Sequence, residues 1–372
     1  MPSSPLQRLQ RLGQSVWLDF IDRSMLWDGG LHGLVEKYGI TGITTNPKLL
    51  SDAILAGGLY TEDIQRAARE GLGAKATYER LAIADVRRAA GLLKGIYDRT
   101  GGDDGYVSLE VSPDLAYDTE GTVCEARALW SHLETPNVLV KIPATTQGLP
   151  AIRQMIAEGV NVNATLLFSV DRYRLVAEAY VAGLEDRLAE GRPIDRIHSV
   201  ASFFVSRIDA AVDPLLERAG KGLAAARGRV ALASARLAYQ ASKNLFGGDR
   251  FRHLQRHGAR PQRLLWASTS PKDPSLSDLT YVEPLIGPGT VTTMPPATLE
   301  AYQDHGNPAA RLEEGAGEAA RIIGLLPGAG IDLAAVAARL EEDGVRQFKK
   351  PFDHLLERLG QPSGLLAVTA SR

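Results

Sequence analysis

Short apolar runs alternate along the chain with longer amphipathic stretches. Eight of the runs read as strands: 15–20, 42–45, 106–111, 137–142, 161–166, 197–205, 263–268 and 281–286. Stretches such as 148–158, 171–188, 211–219 and the Ala-rich 222–245 read as helices. Strands alternating with helices predict βαβ units and a parallel sheet. Eight such units predict a closed α/β architecture, the (β/α)8 or TIM barrel. The chain exceeds the ~250 residues typical of that barrel. Extra helices are therefore expected before Tyr106, within 222–261 and after Leu299, where 308–325 and 332–359 read as helices broken at Pro327-Gly328. No linker, repeat or compositional boundary intervenes, so 1–372 is read as a single domain.

Successive side chains of a strand face opposite ways. In a barrel one face meets the helices and the other fills the lumen. The helix-facing parity is apolar or nearly so in most of the runs, as in Val16-x-Leu18, Val107-x-Leu109 and Val138-x-Val140. The opposite parity carries a polar residue late in the strand: Asp19 beyond Trp17, Asn46 beyond Thr44, Glu110 beyond Ser108, Lys141 beyond Leu139, Asn163 and Thr165 beyond Asn161, and Ser268 beyond Trp266. Barrel active sites form at the C-terminal ends of the strands. Those seven late residues are expected to converge on one pocket. Lys141 is the sharpest of them. A lysine is almost never buried unless it is held or neutralised, and an uncharged amine on a rigid strand is the nucleophile of Schiff-base chemistry.

Composition narrows the field. The 372 residues are 44% hydrophobic and 23% charged, ordinary for a globular chain with a sizeable core. A net charge of -2 gives no reason to expect nucleic acid or an anionic membrane surface as a partner. The single cysteine, Cys124, excludes an intramolecular disulfide and fits a reducing compartment. The first residues are polar and basic, and no apolar stretch approaches the ~18 residues of a membrane span. A cytoplasmic location is expected. His253 and His257 have i,i+4 spacing, but no Glu lies between them, and Arg252, Arg256 and Arg260 would repel a cation. No dinucleotide fingerprint follows the first strand. Neither a metal nor another cofactor is expected.

The motifs resemble those of the transaldolases, within the class I Schiff-base aldolases. Ile40-Thr41-Gly42-Ile43-Thr44-Thr45-Asn46-Pro47 is similar to their Thr-Thr-Asn-Pro signature, and Val138-Leu139-Val140-Lys141-Ile142-Pro143-Ala144-Thr145 to their lysine strand. Asn161–Ser169 and Ser199–Asp209 resemble the fifth- and sixth-strand motifs, and Tyr281–Pro288 a segment of the longer bacterial subtype.

The resemblance implies transfer of a dihydroxyacetone unit from a ketose phosphate, sedoheptulose 7-phosphate or fructose 6-phosphate, to an aldose phosphate, as in the non-oxidative pentose phosphate pathway. It implies Lys141 as the Schiff-base nucleophile, Asp19 as acid/base at the cleaved bond, and Glu110 acting with Thr165 through a water. Asn46 and Asn163 would hold the hydroxyls of the bound fragment. Arg207 and Ser268 would bind the phosphate, and Ser202 and Phe204 would also contact the substrate. The family's usual arginine two residues after the strand-seven serine is replaced by Ser270, which leaves Lys272 to supply the second positive charge. In that family the C-terminal helix approaches the pocket mouth, which brings Phe348 toward it. The partners implied are small sugar phosphates, with a monomer or homodimer both open. A related aldolase releasing free dihydroxyacetone is the near alternative, and Phe204 favours transfer. A non-catalytic sugar-phosphate-binding barrel is the alternative from another class.

Overall fold

The computed structural model describes residues 4–220, 223 and 226–361. Eight parallel strands close into a barrel in chain order. They are β1 (Gln14–Leu18), β2 (Gly42–Thr44), β3 (Val107–Glu110), β4 (Val138–Pro143), β5 (Val162–Leu167), β6 (Ser199–Phe204), β7 (Arg263–Ala267) and β8 (Thr290–Met294). The ring shuts where Gln14 to Leu18 pair with Thr290 to Met294. Outward-facing Val16, Leu18, Ile43, Leu109, Val140 and Val162 are buried beneath the helices. This is the layered core that helix-facing apolar parity anticipates.

Seven of the eight strands fall where the pattern places them. The eighth is corrected. Tyr281, Val282, Leu285 and Ile286 are buried, but they form no strand. Glu283–Leu285 is a 3-10 turn started by Pro284, whose missing N–H suits a turn and not a ladder. The Leu285 carbonyl accepts from Gln14 Nε2 at 2.8 Å and Trp266 Nε1 at 3.0 Å. The segment is thus pinned against the outer side of the barrel wall. The true β8 follows it, in the Thr-rich Thr290–Met294.

The predicted parity of β7 is also reversed. Ser202 faces the lumen, bonded to Asn163, and its register partner on β7 is Leu265. Leu265 and Ala267 therefore line the interior. Trp266 faces outward against Phe203, their ring centroids 6.3 Å apart. Ser268 reaches the pocket by another route. Its φ of 57°, in the left-handed region, turns the chain as the strand ends.

Extra helices lie where the surplus length was expected. Ala74–Arg99 precedes β3, and Val230–Phe246 and Asp249–Arg256 precede β7. Parts of the predicted 222–245 helix lie outside the described residues. Ala316–Leu325 and Leu333–Gly360 follow β8, separated by a turn at Pro327–Ala329. Among the described residues no single helix is long and apolar enough to cross a membrane.

Candidate active site

Register places the central groups side by side. Glu110 pairs with Lys141 across β3 and β4, and Lys141 pairs with Asn163 across β4 and β5. Paired residues of parallel neighbours point the same way, so all three enter the lumen near its C-terminal end. Lys141 is 5% exposed and Glu110 also 5%. The lysine Nζ lies 3.1 Å from Glu110 Oε2 and donates to the Thr45 carbonyl at 3.0 Å. The buried amine is held, as sequence reasoning required of it.

Asp19 leaves β1 on the same face. Its Oδ1 accepts from Thr44 Oγ1 at 2.9 Å. Burial pushes the Asp19 carboxyl above the usual range; Lys141, the Thr44 hydrogen bond, Arg207 and Lys272 oppose that rise. Burial likewise raises Glu110, with Lys141 opposing and Asp19 adding to the rise. Two carboxyls and an amine thus share one water-poor pocket, and each carboxyl is poised to accept a proton at a pH where exposed ones would not.

The rest of the lumen is polar and mostly satisfied. Asn163 Nδ2 donates to Ser108 Oγ at 3.0 Å, and its Oδ1 accepts from Ser202 Oγ at 2.7 Å. The Thr165 hydroxyl is buried without a hydrogen-bond partner. Asn46 sits past the end of β2, where its Oδ1 caps the helix Pro47–Leu55 by accepting from Leu49 N at 3.0 Å. Only the amide nitrogen is left to meet a ligand.

A cationic corner adjoins these groups. Arg207 enters the helix Ser206–Ala219 one residue after its start, with its guanidinium 5.3 Å from the Phe204 ring centroid and Nη1 buried without a partner. Burial pulls the Arg207 pKa down, while Asp19 and Asp343 oppose the shift. Lys272 belongs to the same field: burial and then Arg207 lower its pKa, and Asp19 opposes them. The Ser268 and Ser206 hydroxyls lie 2.9 Å apart. Ser270 bonds to Thr298 instead.

Sequence reasoning missed three groups. Thr44 was assigned the lumen parity but no role. Ser206 lies at a helix start, and the Thr45 carbonyl carries no sequence signal. A cavity of about 660 Å³ at the other end of the barrel is lined by Trp17, Asp104, His198, Arg260 and Arg263. The two arginines there are engaged by Asp103, Ser15 and backbone carbonyls. That end of a barrel is concerned with stability rather than chemistry.

Fold and site together define a (β/α)8 enzyme built around a buried lysine flanked by carboxyls, next to a cationic corner. The sequence profile of the transaldolase/fructose-6-phosphate aldolase family matches residues 16–359. The transaldolase of Thiobacillus denitrificans is 47% identical over 355 residues, 95% of this chain and 98% of its own. That of Thermobifida fusca is 46% identical over 360 residues, 96% and 98% of the two chains. Transaldolase 2 of Nostoc sp. PCC 7120 is 44% identical over 371 residues, 96% and 97%. The chain belongs to the transaldolase/fructose-6-phosphate aldolase family.

Proposed function

We propose that this enzyme is a transaldolase that moves a dihydroxyacetone unit between sugar phosphates through a Schiff base on Lys141. The observation that carries the reading is the Lys141–Glu110 pair, 3.1 Å apart in a closed lumen whose other carboxyl is Asp19. Glu110 takes a proton from the amine, and the freed nitrogen attacks the ketose carbonyl. Glu110, with the unpartnered Thr165 hydroxyl beside the same strand pair, supplies and recovers protons as water leaves. The resulting iminium is an electron sink. Asp19 removes the C4 hydroxyl proton, the C3–C4 bond breaks, and the aldose phosphate departs. An enamine of dihydroxyacetone remains on the nitrogen until an acceptor aldehyde reverses the steps.

Asn163 and the free amide nitrogen of Asn46 are assigned to the hydroxyls of the fragment. Ser202, bonded to Asn163, is assigned to the same fragment, and Arg207, Lys272 and Ser268 to the phosphate end, where two cations of different shape stand in for a pair of planar forks. Phe204 packs against Phe168, centroids 5.2 Å apart and rings tilted by 43°, and offers no hydroxyl to that corner. Barrel and added helices act as one domain in a reducing, cytoplasmic setting, as a monomer or homodimer.

Borohydride added with fructose 6-phosphate should leave a reduced three-carbon adduct on Lys141, located by peptide mass mapping. Lys141→Ala should abolish transfer from both fructose 6-phosphate and sedoheptulose 7-phosphate in a coupled assay. An unmodified Lys141 in an active wild-type enzyme would overturn the reading.

A further inference from the structure

Resting on the Schiff-base reading above, we infer that Phe348 is a specificity-determining residue: its ring, seated over Lys141 by the C-terminal helix, keeps water from the bound enamine and so commits the enzyme to transfer. Lys141 Nζ lies 5.6 Å from the centroid of the Phe348 ring. The ring is buried, 5% exposed, on the helix Leu333–Gly360. It sets a large apolar surface against the nitrogen on which the intermediate would form, whose polar partners include Glu110 and the Thr45 carbonyl.

The helix is fixed at that height by contacts at 341, 344 and 352, on the face that carries Phe348, and by an exposed ion pair at Lys349 beside that face. Glu341 pairs with Arg172 at 3.4 Å. Gly344 lies against Leu166, and a Cβ at position 344 would come within 2.9 Å of Leu166 Cδ2. Phe352 meets Tyr78 edge to face, centroids 5.0 Å apart. Lys349 pairs with Asp114. Glycine inside a helix costs about 1 kcal/mol relative to alanine, yet here it admits the close approach.

The far side of that contact is also irregular. Leu166 has a φ of 60°, and the β5–β6 register slips between Ala164 and Leu167. One extra residue on β5 marks a bulge, a device that re-aims side chains beside active sites. It directs Leu166 up to the helix directly after Thr165. The bulge and Gly344 together set the depth of the helix, and Phe348 follows one turn later.

The competing step is hydrolysis. The enamine carbon takes a proton from solvent and becomes an iminium. Water adds to the imine carbon, the carbon–nitrogen bond breaks, and free dihydroxyacetone leaves with the amine restored. Transfer wins only while water is excluded until the aldehyde arrives.

The test measures free dihydroxyacetone against product transferred to erythrose 4-phosphate, with fructose 6-phosphate as donor. Phe348→Ala should raise the ratio of release to transfer several-fold, with Phe348→Leu in between. Gln347→Ala, exposed on the same helix, should leave the ratio unchanged. Each variant is first trapped with borohydride, and its melting is recorded. Loss of trapping in the wild type would overturn the Schiff-base reading itself. Normal trapping with an unchanged ratio in both Phe348 variants would overturn the inference alone. If Phe348→Ala does not fold, Phe348→Leu carries the same test.

Discussion

Asp19 and Glu110 are carboxyls that burial pushes toward their protonated forms. Cleavage needs Asp19 as a base, so activity should be lost as pH falls through its raised value. We expect kcat/KM for transfer to decline on the acid side at a pH above the ordinary carboxylate range. The midpoints will belong to the coupled pair. A pH profile that stays flat down to that ordinary range would contradict this. Arg207→Ala should raise KM for fructose 6-phosphate by about ten- to a hundredfold, the equivalent of a charged hydrogen bond of ~1.5–3 kcal/mol. Lys272→Ala should do so more weakly, since Lys272 is a more exposed residue than Arg207. Steady-state kinetics with fructose 6-phosphate against unphosphorylated fructose separates a phosphate effect from a general one. Lys141, Glu110, Asp19 and Asn163 were legible in the sequence because each combines lumen parity with a late position in its strand. Ser268 was named for the wrong reason. Strand parity places Trp266 inward together with Ser268, but Trp266 faces the helices, and a left-handed backbone turn at Ser268 brings its hydroxyl to Ser206. Side-chain parity cannot register such a turn.

Strand β1 shows how an element fixes its neighbours. Trp17 fills the lumen across from Gly42, where a Cβ would come within 2.5 Å of the indole ring. Gly42→Ala should cost about 1–3 kcal/mol, as overpacked sites do, and this is readable by urea denaturation. The loop beyond Asp19 is clamped by Arg23, whose Nε donates to Asp85 at 2.8 Å and whose Nη1 donates to Asp63 at 2.7 Å. Tyr60 donates to the other Asp85 oxygen at 2.7 Å. Arg23→Ala would strand the fully buried Asp85 and should destabilise the fold by about 3–5 kcal/mol; a denaturation midpoint unchanged from wild type would refute that. Seven strands were legible from apolar runs. The eighth was not, because Thr290-Val291-Thr292-Thr293-Met294 is mostly hydroxyl-bearing, and its β-branched shape is a weaker signal than the apolar Tyr281–Ile286 nearby. Those apolar residues are buried against the barrel instead of joining it.

Across the whole molecule, Asp209 joins regions distant in sequence. It accepts from Ala231 N at 2.8 Å and from Tyr281 Oη at 2.9 Å, tying the helix Ser206–Ala219 to the helix Val230–Phe246 and to the segment before β8. Burial lifts its carboxyl from 3.8 to about 7. A raised folded pKa favours folding while the group is protonated, and that contribution is lost as pH rises through the folded value. The melting temperature should therefore carry a component that falls as pH rises from about 4 to about 7 and levels off above it, and Asp209→Asn should flatten that component in calorimetry. The barrel as a whole was readable from the count of alternating elements. The height of the covering helix was not, since it depends on a bulge and a glycine contact that no periodicity records. Chain order gives that cover one more consequence. Every group assigned to the chemistry has left the ribosome by Lys272, and the strand that closes the ring by Met294, whereas Phe348 emerges later. Synthesis thus supplies the reacting groups before their cover, and the water-excluding ring is set over Lys141 only once the helix Leu333–Gly360 has been made and packed.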